Sequence, residues 1–158
     1  MKLYTKKSVQ KMPISLQQAW DFISDPKNLE VITPKEMGFR TISGDERKMF
    51  AGQIIHYTIT PLFGIKMQWV TEITHVKNQE FFVDEQRFGP YNFWHHKHFL
   101  KEIPGGVEME DVVHYKVPMG FLGQLVHPFL VKPELDKIFE YRTKKLVALF
   151  GEFKSDEK

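Results

Sequence analysis

Apolar and polar residues alternate with a period of two through the middle of this chain, the pattern of strands that bury one face. Over residues 65–76, Ile65, Met67, Trp69, Thr71 and Ile73 fall on one side and Lys66, Gln68, Glu72 and Thr74 on the other. Residues 52–60 group Ile55, Tyr57 and Ile59. Residues 107–117 set Val107, Met109, Asp111, Val113, Tyr115 and Val117 against Glu108, Glu110, His114 and Lys116. Further strands are predicted at 3–12, 39–43, 80–88 and 91–102. Turns at 44–48, 61–64 and the tight Pro104-Gly105-Gly106 separate neighbours.

Elsewhere the spacing becomes helical. Ser15 followed by Gln18 is a capping box, and Leu16, Ala19, Trp20 and Ile23 make a short amphipathic helix behind it. Asp25-Pro26 closes that helix and opens a second at 27–32, which Thr33-Pro34 stops. Near the end, Pro128 and Pro133 forbid one unbroken helix. A short helical piece at 122–130 and a longer helix from Pro133 are predicted instead. The stripe Leu135, Ile138, Phe139, Leu146, Leu149 and Phe150 is the buried side of the longer one.

The order is strand, two short helices, about six strands and a long C-terminal helix, an α+β arrangement. Short turns make the sheet antiparallel. A twisted sheet with one long helix across its concave face encloses a space.

Length and composition add bounds. The 158 residues fit one domain spanning 1–158, able to bury a core without staples. The absence of cysteine excludes disulfides, thiolate metal sites and cysteine nucleophiles. A formal charge of +2 is too balanced for an electrostatic nucleic-acid binder. Lys2, Lys6, Lys7 and Lys11 read as a solvated strand face. No secretory signal and no membrane span is apparent, so a cytoplasmic protein is expected. Aromatic residues, 14% of the chain, suit both a core and pocket walls.

The candidate chemistry lies in Trp94-His95-His96-Lys97-His98. Alternation sends His95 and Lys97 to solvent and turns Trp94, His96 and His98 inward. If Pro104 and Gly105 form the loop, His98 faces Asp111, His96 faces Val113, Trp94 faces Tyr115 and Leu100 faces Met109. His98 and Asp111 then form a carboxylate–imidazole pair, either a self-satisfied register lock or a polar feature of a cavity wall. His96 is left as the unpaired imidazole and the first place to expect a ligand. In the preceding hairpin, a loop at 88–90 faces Asp84 to Trp94 and Gln86 to Asn92, whereas a loop at 89–90 turns Glu85 inward. Periodicity does not choose between them. Arg142 sits on the buried stripe of the last helix. Such an arginine ordinarily runs along the helix edge to solvent, and otherwise enters the interior to pair with Asp84, Asp111 or a ligand carboxylate. A metal site of two histidines and a carboxylate is set aside because His98 occupies the facing aspartate. There is no Gly-x-Gly phosphate loop, and no serine is placed to meet the histidine strand.

Several strings resemble the START-like superfamily, also called SRPBCC or the Bet v 1-like helix-grip fold. The resemblance is to its ligand-binding branch, related to polyketide cyclase/dehydrase-like proteins. They include Phe22-Ile23-Ser24-Asp25-Pro26-Lys27-Asn28-Leu29, Ile32-Thr33-Pro34 and Gly52-Gln53-Ile54-Ile55-His56-Tyr57. Trp69-Val70-Thr71-Glu72-Ile73 and the run from Phe82 to Tyr91 follow. Trp94 with His96 and His98, Asp111 to Pro118, and Ile138-Phe139-Glu140-Tyr141-Arg142 complete the set, which spans nearly the whole chain.

The resemblance implies a hydrophobic cavity between sheet and C-terminal helix, and Asp84 and Gln86 pointing inward. Cavities of similar proteins carry lipids, polyketides or quinones, and some relatives are cyclases or dehydratases. Domains of this branch also occur joined to, or near, nucleotide-sugar-epimerase-like proteins. The expected function is therefore binding of a small, largely apolar molecule. Trp69, Trp94, Tyr57 and Tyr115 would form walls, and Asp84, Gln86, His96, His98, Asp111 and Arg142 would orient the ligand. The rival is a cyclase or dehydratase with His98 and Asp111 as general base and Arg142 or His96 stabilising an enolate. A third reading is an interaction module for an epimerase-like partner. No cofactor is expected.

Overall fold

The computed structural model describes residues 2–60 and 64–154, so the turn expected at 61–64 falls largely outside the described residues. Its strands are β1 (Tyr4–Met12), β2 (Arg40–Ser43), β3 (Gln53–Ile59), β4 (Met67–Lys77), β5 (Phe81–Phe88), β6 (Phe93–Ile103) and β7 (Gly106–Lys116). Its helices are α1 (Leu16–Ile23), α2 (Asn28–Val31), α3 (Gly120–Val126) and α4 (Val131–Phe150), with a 3-10 turn at Lys35–Met37. The strands form one antiparallel sheet in the order β1-β7-β6-β5-β4-β3-β2.

Local chemistry explains the entry into α1. The Ser15 hydroxyl accepts from the Gln18 backbone N–H at 3.2 Å, and the Gln18 side chain accepts from the Ser15 N–H at 3.0 Å. Two orphan donors are satisfied, and the helix buries Ala19, Trp20 and Ile23. α4 begins at Val131, two residues ahead of the expected start. Pro133 is tolerated there because its missing N–H falls in the first turn, where no intrahelical acceptor exists.

The β6–β7 hairpin adopts the register expected from its turn. Ile103 pairs with Gly106 around Pro104 and Gly105, His98 pairs with Asp111, and Trp94 pairs with Tyr115. Gly105 has a φ of +80°, a conformation that costs glycine least. The β5–β6 hairpin follows neither expected register, since Asp84 pairs with His96 and Phe82 with His98. The Gln86 side chain holds the turn closed, donating to the Tyr91 carbonyl at 2.5 Å and accepting from its N–H at 3.1 Å.

α4 lies across the inner face and buries Leu135, Phe139, Arg142 and Leu146. Leu149, expected on that stripe, is 44% exposed, whereas Phe150 beside it is half-buried and meets Phe22 edge-on at 5.1 Å between ring centres. Lys6 also departs from the solvated-face reading. It bonds Asp136 of α4 at 2.5 Å and stands 5.6 Å from the centre of the Phe139 ring. Among the described residues, no helix is long and apolar enough to cross a membrane.

Candidate ligand-binding site

Alternation on β3 and β4 and the stripe of α4 converge on one enclosed volume. A cavity of about 450 Å³ is walled by Ile55, Tyr57, Ile59, Trp69 and Ile73 from the sheet and by Leu135, Ile138, Phe139 and Leu146 from α4. The lining reaches exposed residues at Ile65 and Pro118. Tyr57 and Thr71 bond each other through their hydroxyls at 2.7 Å, so this pair presents little free polarity to the cavity. Trp69 meets Trp94 edge-on at 5.2 Å between ring centres.

Asp84, His96, His98 and Arg142 form a polar cluster in the wall, with Asp111 buried behind them, and Asp25, Asn28, Thr33 and Glu134 also reach the lining. Asp111 Oδ1 lies 2.9 Å from His96 Nε2, 2.8 Å from His98 Nδ1 and 3.4 Å from Arg142 Nη1. Asp84 Oδ2 lies 2.7 Å from His98 Nε2 and 3.4 Å from His96 Nδ1. The Trp94 indole N–H donates to the other Asp84 oxygen at 3.3 Å. All four imidazole nitrogens therefore face a carboxylate. Phe82 stacks on His98 with ring centres 4.1 Å apart.

The protonation states follow from this packing. Burial pulls the His98 imidazole down, but its bonds to Asp111 and Asp84 outweigh that and raise it above the ordinary histidine value. Burial and the neighbouring His98 charge lower His96. The two rings are only 3.7 Å apart, so a second proton would set two cations side by side. Burial works against ionisation of Asp84, yet His96, His98 and Trp94 hold its carboxyl below the usual range. Burial opposes the Asp111 charge too, and bonds from His96 and His98 with the Arg142 guanidinium hold it well below. The two carboxylates are each set against Arg142 or the imidazoles, the pairing under which buried charges are tolerable.

The structure corrects several expectations about placement. His96 is not unpaired, because a cross-strand diagonal brings Asp111 within reach and the shifted β5 register adds Asp84. Arg142 does not run to solvent; it is 8% exposed and turned toward Asp111. Gln86 is spent on the β5–β6 turn and is absent from the cavity wall. Tyr115 is buried outside that wall, its hydroxyl bonded to His127 at 2.8 Å. Tyr57, Trp69, Trp94, Asp84, His96, His98 and Arg142 do line it. Phe82, which also lines the cavity, was not among the expected site residues, although its inward position on β5 follows from the same alternation.

Two wall residues hold buried N–H donors with no acceptor among the described residues, Trp69 Nε1 and Arg142 Nε. Asp84, His96 and His98 also offer one ligand-type atom each, all within 4.8 Å of one another. No other such group of ligand-type side chains occurs among the described residues.

No family sequence model matches the chain, and no curated protein matches it by sequence. Structural likeness is strong. A START superfamily protein from Mycobacterium smegmatis superposes with a TM-score of 0.68 at 10% identity, covering 92% of this chain and 98% of its own. The chain has the START-like helix-grip fold. Ara h 8.0201 shares it with a TM-score of 0.63 at 15% identity, over 93% of this chain and 99% of that one. Protein CV1439 from Chromobacterium violaceum reaches a TM-score of 0.71 at 14% identity, over 95% and 99%. Identities this low establish the helix-grip architecture and leave the cavity's occupant to be argued from its walls.

Proposed function

We propose that this helix-grip protein binds a small, largely apolar molecule carrying an oxygen-bearing polar group. The observation that supports the reading is the cavity of about 450 Å³, apolar over most of its wall with a cluster of paired charged groups at Asp84, His96, His98 and Arg142. That size falls within the roughly 300–1,000 Å³ of small-molecule pockets. Apolar walls supply affinity by burial, while the polar region and the orphan donors supply orientation. Segment α3 adds to this picture. Phe121, Leu122, Leu125 and Phe129 are exposed beside Pro118 and Val131 of the lining, so apolar surface surrounds one approach to the cavity.

Binding is favoured over the general-base reading because every nitrogen of His96 and His98 already faces a carboxylate. A base abstracting a substrate proton needs a nitrogen open to it. The test is titration of the purified chain with an environment-sensitive apolar fluorophore, followed by displacement with candidate lipids, polyketides and quinones. Saturable one-to-one binding, lost in an Ile55→Trp variant that fills the cavity, is expected. Absence of binding to the unaltered chain, or equal binding by the folded variant, refutes the reading.

A further inference from the structure

We propose that Asp84, His96 and His98 bind a divalent transition-metal cation whose remaining coordination positions open into the cavity. The inference goes beyond the ligand-binding reading, and its first half stands without it.

The spacing suits the ion. Metal–nitrogen and metal–oxygen bonds of about 2.0–2.2 Å place neighbouring donor atoms roughly 3.0–3.4 Å apart at octahedral or tetrahedral angles. Asp84 Oδ2 lies 3.4 Å from His96 Nδ1 and 2.7 Å from His98 Nε2. Of these two distances the second must open by a few tenths of an ångström, and all three ligand atoms lie within 4.8 Å of one another.

The surroundings are those of a held site rather than a chance cluster. The nitrogens facing away from Asp84, His96 Nε2 and His98 Nδ1, lie 2.9 and 2.8 Å from one Asp111 oxygen. A carboxylate behind ligating imidazoles fixes their tautomers, and with both N–H groups on Asp111 the bare nitrogens point at Asp84. Arg142 draws on that same Asp111 oxygen, which keeps this carboxylate behind the ligands. The Trp94 N–H engages Asp84 Oδ1, so Oδ2 is the oxygen turned to the two imidazoles. Phe82 fixes the plane of the His98 ring.

Two imidazoles and one carboxylate select ions of the zinc, cobalt and iron(II) class over calcium or magnesium, which demand more oxygen ligands. Three protein ligands leave positions unfilled, and all three residues line the cavity. If the ligand reading is right, its oxygen completes the coordination sphere.

The experiment uses the full chain, stripped with a chelator and titrated with Co²⁺. Saturable one-to-one binding with visible d–d bands is expected. His96→Gln, His98→Gln and Asp84→Asn should each weaken it about tenfold or more, and Asp111→Asn by about tenfold through the ligands it orients. His95→Gln, on the outer face, should leave it unchanged. Because the cluster variants can fail to fold, X-ray absorption on the unaltered Co²⁺ protein provides a second reading, with two imidazoles expected in the first coordination sphere. No saturable Co²⁺ binding, equal binding by folded variants, or absorption spectra without two imidazoles overturns the proposal. Fluorophore binding by a chain that takes up no Co²⁺ would overturn the cation site and leave the ligand reading intact.

Discussion

Replacing Asp111 by asparagine keeps the shape of the side chain and removes one charge from a position only 2% exposed. Three groups lose this anion at once, His96 at 2.9 Å, His98 at 2.8 Å and Arg142 at 3.4 Å, and only the two imidazoles keep Asp84. Among the described residues Arg142 then has no carboxylate within salt-bridge distance, and its Nε has no acceptor there either. Breaking a buried ion pair from one side costs about 3–5 kcal/mol. Here the amide oxygen still accepts one bond and His98 can shed its proton, so about 3 kcal/mol near pH 6 is expected. Urea unfolding of chelator-treated protein, followed by tryptophan fluorescence, measures it.

The pH profile carries the sharper signature. Asp111 is depressed in the fold, so its contribution is present above the unfolded carboxylate value of about 3.9 and fades as the pH falls below it. His98 is raised in the fold, so its contribution is complete below about 6.5 and fades as the pH climbs through the folded value. The difference between parent and variant should therefore peak between about pH 4 and 6.5 and shrink on both sides. A loss below about 1 kcal/mol, or a difference independent of pH, would show that Asp111 does not organise the cluster.

Other outcomes test the placement of neighbouring groups. Gln86→Ala should lower stability by about 1–2 kcal/mol by freeing the Tyr91 backbone, while fluorophore affinity stays unchanged; a loss of affinity would return Gln86 to the cavity. Ser15→Ala should cost about 1 kcal/mol in chemical denaturation through the lost α1 cap, and no change would contradict the capping box. Burial pushes the Tyr115 hydroxyl up to about 12, so its contribution is complete below about pH 10 and fades above it. Tyr115→Phe should flatten the alkaline limb of the stability profile, and an unaltered limb would refute the assignment.

Much of the architecture was legible because it is local. Strand alternation reports parity, and the Pro104-Gly105 turn pins one register, so the inner face of β6 and β7 could be written down residue by residue. The Ser15 capping box and the helical stripe of α4 are local in the same sense. The β5–β6 hairpin shows where that logic stops. A shift by two residues leaves every side chain on its own face, so the apolar pattern cannot register it. The side-chain clasp of Gln86 on Tyr91 belongs to the folded turn and has no periodic signal.

The site itself depended on that unreadable shift. It moved Asp84 from Trp94 to His96 and so joined the second carboxylate to the imidazole pair. Arg142 was legible as an anomaly, but its direction was not, because an arginine on a buried stripe turns inward only when an anion waits there. The sequence by itself determined which residues face inward and that three histidines divide between two faces. Only the tertiary structure decided which of those residues meet, since charge pairing acts over a few ångströms in space and is blind to separation along the chain.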